Sequence, residues 1–77
     1  MPRYFFDVYE PEASTVDIDG LQLSDVEAVR AEAGRVLGDI IRDCRLPVDA
    51  HQLIVRVRDD EGTPVLTATG TVEIELA

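Results

Sequence analysis

Cys44 and His51 are the only thiol and the only imidazole of the chain, and together they could form a nucleophile with its general base. Two features of Cys44 oppose that chemistry. The residue falls on the apolar side of a predicted helix, and it lies at the C-terminal end of that helix, where the negative end of the dipole disfavours a thiolate. One cysteine and one histidine are also too few for a zinc site unless carboxylates or a second chain complete it. The sequence therefore predicts a buried, inert thiol and no catalytic residues.

Calcium binding is the second chemistry that the spacing suggests, because the run from Asp17 to Gly20 (DIDG) has the core of an EF-hand loop. With Gly20 at position six of such a loop, Thr15 and Val26 take positions one and twelve, which need carboxylates. The run is better interpreted as a turn, and the same holds for Asp59 to Gly62 (DDEG). The chain also has no glycine-rich phosphate loop. We therefore expect no metal or cofactor site and no enzymatic activity.

The composition predicts one small globular domain over residues 1–77, with 45% hydrophobic and 30% charged residues. Sixteen acidic and seven basic residues give a net charge of −9, which would repel the phosphates of DNA or RNA. An acidic mimic of nucleic acid is an alternative, although acidic surfaces mostly serve solubility. No apolar run approaches the roughly 18 residues of a membrane span, and the first residues lack the apolar core of a signal peptide. We expect a cytoplasmic protein that binds neither nucleic acid nor membranes.

A single predicted helix, Leu23 to Arg45, organises the rest of the chain. Ser24 and Glu27 make an S-x-x-E capping box, so the helix is predicted to begin at Ser24. Pro47 predicts that it ends near Cys44 or Arg45. Apolar residues recur along one side, which should face the core: Val26, Val29, Ala33, Val36, Leu37, Ile40, Ile41 and Cys44. The opposite side is charged and is expected to be solvated.

Three segments have strand patterns, and they are Arg3 to Tyr9, Leu53 to Asp59 and Val65 to Leu76. A short fourth strand, Thr15 to Ile18, is predicted to pair back on the first. The fold is therefore expected to be α+β, with an antiparallel sheet of three to four strands, one helix packed across one face, and the order β-(β)-α-β-β. We expect the long last strand at the centre of the sheet.

The last two strands form a hairpin whose register follows from their alternation. Pairing Val57 with Leu66 and Val55 with Ala68 keeps the apolar side chains together and leaves a four-residue loop, Asp60 to Thr63. The predicted core draws on the helix and all long strands. It consists of Phe6, Val36, Ile40, Val55, Val57, Leu66 and Ile74.

The sheet face that is turned away from the helix is the candidate interaction surface. If Tyr4, Phe6 and Val8 face the helix, the alternating side chains face outward. This outward set comprises Arg3, Phe5, Tyr9, Ile54, Arg56 and Arg58. Aromatic residues and arginine are enriched in protein interfaces, so we expect a homodimer contact on this face or at the neighbouring strand edge. The alternative is that the arginine stems cover the rings and the face stays wet.

Gly34 and Gly38 on the helix predict close approach of another backbone, from this chain or from a partner.

Three blocks of the sequence resemble a family of short bacterial proteins of unknown function. They are MPRYFFDV at the start, DIDGLQLSDVEAVRAEA at the beginning of the helix and VRDDEGTPVL in the hairpin. The resemblance implies no activity and no site residues. A weaker resemblance is to HicB-type antitoxins, which also place a D-x-D-G-like turn and an E-A-rich helix after their first strands.

The expected function is a small non-catalytic protein-interaction module that is homo-oligomeric or binds an unknown protein partner. The alternatives are a HicB-like antitoxin or regulatory partner, and a small-molecule-binding or metal-binding domain.

Overall fold

The computed structural model describes residues 2–11, 13–43 and 50–73, with the backbone alone at positions 50 and 51. The elements are, in chain order, β1 (Arg3–Tyr9), β2 (Ser14–Thr15), β3 (Leu21–Gln22), α1 (Val26–Asp43), β4 (Ala50–Asp59) and β5 (Pro64–Glu73). All strand pairs are antiparallel, and the helix packs against β4 and β5. The predicted α+β fold is confirmed, with two very short strands added to three long ones.

The centre of the sheet is β4, which lies between β1 and β5. The expectation that the last strand would be central is therefore wrong. Leu53, Val55 and Val57 make β4 the most deeply buried strand, whereas β5 presents the small residues Ala68 and Gly70 to the helix. A strand with one apolar and one wet side needs cover on only one face, so its alternation suits an edge as well as a centre.

Two short strands cover the outer edge of β1, one at each end of it. The predicted strand from Thr15 to Ile18 is wrong beyond Thr15, and β3 was not predicted. The chain leaves the sheet here because Asp17 accepts the amide hydrogen of Phe6 with its side chain, at 3.0 Å, in place of a backbone pairing. A loop of residues 16–20, named the β2–β3 loop below, results.

The hairpin between β4 and β5 has the predicted register up to Val57. Val55 lies opposite Ala68 and Val57 lies opposite Leu66, so the apolar side chains share the helix side of the sheet. Residues 60–63 connect the strands, but Arg58 lies opposite Pro64 rather than Val65, so the register predicted next to the loop is wrong by one residue. Side-chain alternation therefore determines the pairing of the two strands up to Val57 but not at the loop.

Asp59 organises the hairpin loop. Its carboxylate accepts the amide hydrogens of Glu61 and Thr63, both at 2.9 Å. Gly62 adopts a φ of 83°, a conformation that glycine takes without steric cost. The strand register shifts by one residue just after Val57. These contacts confirm that the run of Asp59 to Gly62 forms a turn.

The helix begins at Val26, and Asp25 caps it. The Asp25 carboxylate accepts the amide hydrogen of Ala28 at 2.9 Å. The predicted cap at Ser24 is therefore wrong by one residue, because the charged carboxylate is the stronger acceptor at the positive end of a helix. The helix is described to Asp43, so its predicted end lies outside the described residues.

The side of the helix that was predicted to be charged carries three ion pairs among the described residues. Arg35 donates to Glu32 at 2.5 Å and to Asp39 at 2.6 Å, and Arg42 donates to Asp39 at 3.3 Å. The hydrogen bond from Arg35 holds the pKa of the Glu32 carboxyl below its ordinary value. Such pairs contribute about 0.2 to 0.5 kcal/mol each to helix stability.

The core lies between the helix and the sheet. Its buried cluster comprises Tyr4, Phe6, Val29, Ala33, Val55 and Val57, and Leu53 is fully buried as well. Of the predicted core, Phe6, Val55 and Val57 are confirmed. Val36 and Leu66 are half-buried against the cluster, and Ile40 is only half-buried. Ile74 lies outside the described residues. The core is thus nearer the start of the helix than predicted, because Val29 and Ala33 meet the strands most closely.

Candidate interaction surface on the open face of the sheet

The open face is the side of the sheet turned away from the helix. Phe5 lies opposite Arg58 in the pairing of β1 with β4, and Tyr9 lies opposite Ile54. Directly opposed residues of an antiparallel pair point to the same side, so these positions share one face. It carries all six residues of the predicted interaction surface together with one that was not predicted: Arg3, Phe5, Asp7, Tyr9, Ile54, Arg56 and Arg58. The structure therefore brings the predicted residues together, and their role in an interaction stays a prediction.

Two arginines of β4 lie over aromatic rings of β1. The guanidinium carbon of Arg58 is 4.7 Å from the centroid of the Phe5 ring, and that of Arg56 is 5.1 Å from the centroid of the Tyr9 ring. Both rings are half-buried beneath these cations, whereas Arg56 itself is exposed. The arginine side chains therefore lie over the rings, as in the alternative arrangement, but the structure places their guanidinium groups there rather than their stems. The open face therefore presents guanidinium groups rather than bare aromatic rings.

Asp7 is the buried acidic residue of this face and was missed as a site residue. It accepts hydrogen bonds from Arg58 Nε at 2.9 Å and from the Asp17 amide at 3.0 Å. The hydrogen bond from Arg58 holds the pKa of the Asp7 carboxyl below its ordinary value, against the opposing effect of burial, and the bond from the Asp17 amide acts in the same direction as Arg58. Arg58 also donates to the Asp17 carbonyl at 3.0 Å. The strand side chains thus fix the backbone of the β2–β3 loop at Asp17.

Asp17 holds the rest of the loop through its carboxylate. One oxygen accepts the amide hydrogen of Phe6 at 3.0 Å, and the other accepts that of Gly20 at 3.1 Å. Arg3 adds a hydrogen bond to the carbonyl of Asp19 at 2.8 Å. The carboxylate that a calcium loop would need is therefore used to build a turn, as the sequence predicts for this run.

The β2–β3 loop lies against the open face. The backbone of Gly20 approaches Phe5 and Arg3, because a β-carbon placed on Gly20 would meet Phe5 Cε2 at 2.8 Å and Arg3 Cγ at 2.9 Å. The apolar side chains of the loop point into solvent instead. Ile18 is 86% exposed and Val16 is 62% exposed. The loop therefore presents two aliphatic side chains on a backbone that is hydrogen-bonded to the sheet.

Replacing Gly20 with alanine should destabilise the protein by about 2 kcal/mol, because the position combines a φ of 70° with contacts closer than a β-carbon tolerates. The matched control is Gly62→Ala, at a φ of 83° with open space around the new methyl group. That control reports the backbone cost alone, about 1 kcal/mol. Urea unfolding of both variants measures the difference, and equal losses would show that the loop does not press on Phe5 and Arg3.

A small depression of about 170 Å³ lies beside Arg56 and Arg58, with Tyr9, Pro64 and Thr67 also in its lining. Pockets for cofactors and other small molecules usually measure about 300 to 1,000 Å³. The depression is therefore of the size that accepts one side chain of a partner protein. Two cations, Arg56 and Arg58, are part of its lining.

The sequence contains two further candidates for chemistry, a thiol and an imidazole. Cys44 and the side chain of His51 lie outside the described part of the chain, so the predicted burial of the thiol stays a prediction. Within residues 2–11, 13–43 and 52–73 the structure contains no group of three or more histidine, cysteine, aspartate or glutamate side chains able to hold a metal ion. The helix in the described residues is not long and apolar enough to cross a membrane.

Comparison with known proteins gives a family for this arrangement. A family model described as a domain of unknown function, DUF6894, matches residues 3–71, which include every element from β1 to most of β5. The chain belongs to the DUF6894 family. This confirms the predicted membership of a family of unknown function. No curated protein and no solved structure matched, so the resemblance of this DUF6894 protein to HicB-type antitoxins stays a prediction.

Proposed function

We propose that this DUF6894 protein is a small, non-catalytic, cytoplasmic interaction module that binds a partner protein through its open face. The contact surface consists of the β2–β3 loop and the arginine-covered strands beside it. One observation carries the proposal: Ile18 and Val16 are presented to solvent by a loop whose backbone is bound at both Asp17 and Asp19.

The fixed loop supports binding for an entropic reason. Ordering a flexible loop upon association costs free energy, and a loop already held in place avoids that cost. Asp17 makes four hydrogen bonds before any partner is present, three with residues of β1 and β4 and one with Gly20 within the loop. Ile18 and Val16 can therefore contribute apolar burial to a contact without an equal loss of conformational freedom.

The charge of the open face indicates the chemistry of the partner. Arg3, Arg56 and Arg58 are three of the seven basic residues in a chain of net charge −9. Arg58 is paired with Asp7, whereas Arg56 has no hydrogen bond or ion pair to another described residue and is part of the lining of the depression. We expect a partner with an aliphatic patch that covers Ile18 and a carboxylate that pairs with Arg56.

A photo-crosslinking amino acid placed at position 18 tests the proposal in living cells. The matched control is the same group at position 61, an exposed site in the other loop at the end of the sheet. The expected result is a discrete protein adduct from position 18 that position 61 does not give. Mass spectrometry of the adduct identifies the partner, which is then purified for direct titration.

The titration separates contact from folding. Ile18→Asp should weaken binding of the purified partner at least about tenfold, because it removes an apolar anchor and adds a like charge for an acidic surface. Arg56→Glu should also weaken it, while Glu61→Gln should not. All three should retain the circular dichroism of the parent protein. Unchanged affinity for both Ile18→Asp and Arg56→Glu would refute the proposed surface.

A further inference from the structure

The two edges of the sheet differ in how far other parts of the chain cover them. The outer edge of β1 is covered by β2, by β3 and by the Asp17 carboxylate, which accepts the Phe6 amide hydrogen. The outer edge of β5 pairs with no strand among the described residues, although β5 is ten residues long. Native proteins usually block an exposed edge with charge, proline, a bulge or a covering element, because unpaired backbone groups attract another strand. The β5 edge carries its single proline at the first position and one charged residue, Glu73, at the last.

The helix sits close to this open edge. Its backbone comes closest to β4 and β5, although Val29 and Ala33 also pack with Tyr4 and Phe6 of β1, so the helix lies nearer the β5 edge than the β1 edge. A β-carbon placed on Gly70 of β5 would lie 3.6 Å from Leu37 and 3.8 Å from Ile41, which identifies the flank of the helix that faces the β5 edge. At about 100° per residue, Gly34 and Gly38 follow on that same flank, and Gly34 is exposed. A β-carbon at either glycine would meet nothing within 4 Å, so no described part of this chain makes the close approach that the glycine pair predicts.

We propose that β5 pairs antiparallel with β5 of a second copy of this chain, about a two-fold axis at the middle of the strand. This goes beyond the proposed function, since it uses another surface and a different partner. The distances fit such a pairing. A helix axis midway between β4 and β5 would lie roughly 2.4 Å inward of β5, and paired strands lie about 4.8 Å apart, so in that arrangement the two helices would be about 9.6 Å apart. Helices that pack directly lie about 8 to 10 Å apart, and glycine at the contact permits that approach.

The strand is complementary to itself in this arrangement. An axis through Thr69 sets Thr67 opposite Thr71 of the second copy on the open face, and Ala68 opposite Gly70 on the helix side. Opposed threonines form favourable pairs, and no like charges meet across the axis within residues 65–73. A chain of net charge −9 repels its own copies least along a segment with so little charge. The sequence predicts a homodimer on the open face or at the neighbouring strand edge; these features favour an edge, but it is that of β5, the strand that was expected at the centre.

The expected area is sufficient for a specific dimer. Ten residues at about 3.3 Å each make a contact roughly 33 Å long, and the sheet with its helix is about 20 Å deep. The product is on the order of 600 Å² per copy, close to the roughly 800 Å² per partner of standard interfaces and above that of most crystal contacts.

Sedimentation equilibrium of the full chain at micromolar concentration tests the proposal, with Gly34→Arg as the main variant. The wild type should be a dimer. Gly34→Arg should raise the dimer dissociation constant at least about tenfold, because two large cations would meet between the helices. The monomer should fold at least as well as before, since arginine is the better helix former at an exposed position. Gly34→Ala is the matched control, with similar helix propensity and a side chain small enough for the contact.

A second variant, in β5, shows whether the strands as well as the helices take part in the dimer contact. Thr69→Lys places like charges opposite each other at the two-fold axis and should weaken the dimer as well. Ile18→Asp should leave the dimer intact, so failure of the partner surface and failure of the edge are distinguishable. A wild type that stays monomeric at these concentrations would overturn the proposal. So would a dimer that is equally stable in Gly34→Arg and Thr69→Lys.

Discussion

Replacing Leu53 with alanine is expected to lower the free energy of unfolding by about 2 to 5 kcal/mol, the range for a leucine removed from a core. Leu53 is fully buried in the central strand. Gly70 lies directly opposite it and has no side chain that could move into the space, so the cavity should persist. A domain of this length is stabilised by roughly 4 to 12 kcal/mol in total, and the variant should lose a large part of that. Urea unfolding monitored by circular dichroism gives the value.

Ile40→Ala is the informative comparison. The periodicity of the helix predicts Ile40 as a core residue, but the residue is only half-buried. Its truncation should cost about 1 to 2 kcal/mol, because burial of the removed atoms is incomplete. A larger loss for Ile40→Ala than for Leu53→Ala would mean that the helix lies nearer the other end of β4 than the structure places it.

Side-chain alternation made much of this fold predictable. It determined which side of β1 faces the helix and the register of the hairpin up to Val57, because a slip of one residue would expose Val55 and Val57. The order of the strands within the sheet was not predictable in the same way. Alternation states which side of a strand is buried, but it does not state which strand lies beside it. Only the packing of Leu53 and its neighbours shows that β4 rather than β5 is central.

The sequence was sufficient to predict which residues share the candidate site, but not which hydrogen bonds they form there. The faces of β1 and β4 follow from period two, so Phe5, Tyr9 and the arginines were placed together correctly. The role of Asp7 was missed, because a carboxylate between Phe5 and Tyr9 on one face of an isolated strand has the pattern of a solvated position. The available signal was that Asp7 shares a face with Arg56 and Arg58. Asp17 gave less indication, since its hydrogen bonds to β1 depend on how the loop folds back on the sheet.

Asp7→Ala is expected to destabilise the protein by about 3 kcal/mol, because it leaves the Arg58 guanidinium without its carboxylate and the Asp17 amide without its acceptor. The loss should be smaller than for a fully enclosed pair, since the Arg58 side chain is 31% exposed. The loop should loosen as well. Hydrogen exchange of the Gly20 amide, which is bonded to Asp17, should become faster. Asp39→Asn, which removes two exposed ion pairs of the helix, is the control and should cost less than about 1 kcal/mol.

The same carboxylate should make stability depend on pH in a defined direction. The pKa of Asp7 is lower in the folded protein than in the unfolded chain, mainly because of the hydrogen bond from Arg58. Its contribution is therefore complete above the unfolded value of about 3.9 and is lost as the pH falls through the lower folded value. Asp7→Asn should flatten the acid side of the stability curve relative to the wild type. Because Asp7 and Arg58 together hold Asp17, acid should release the β2–β3 loop before the core unfolds. Faster exchange at Gly20 than at the buried amides of β4, at an acidic pH where the circular dichroism is still native, would establish that order. Simultaneous loss of both would show that the loop and the core unfold as one unit.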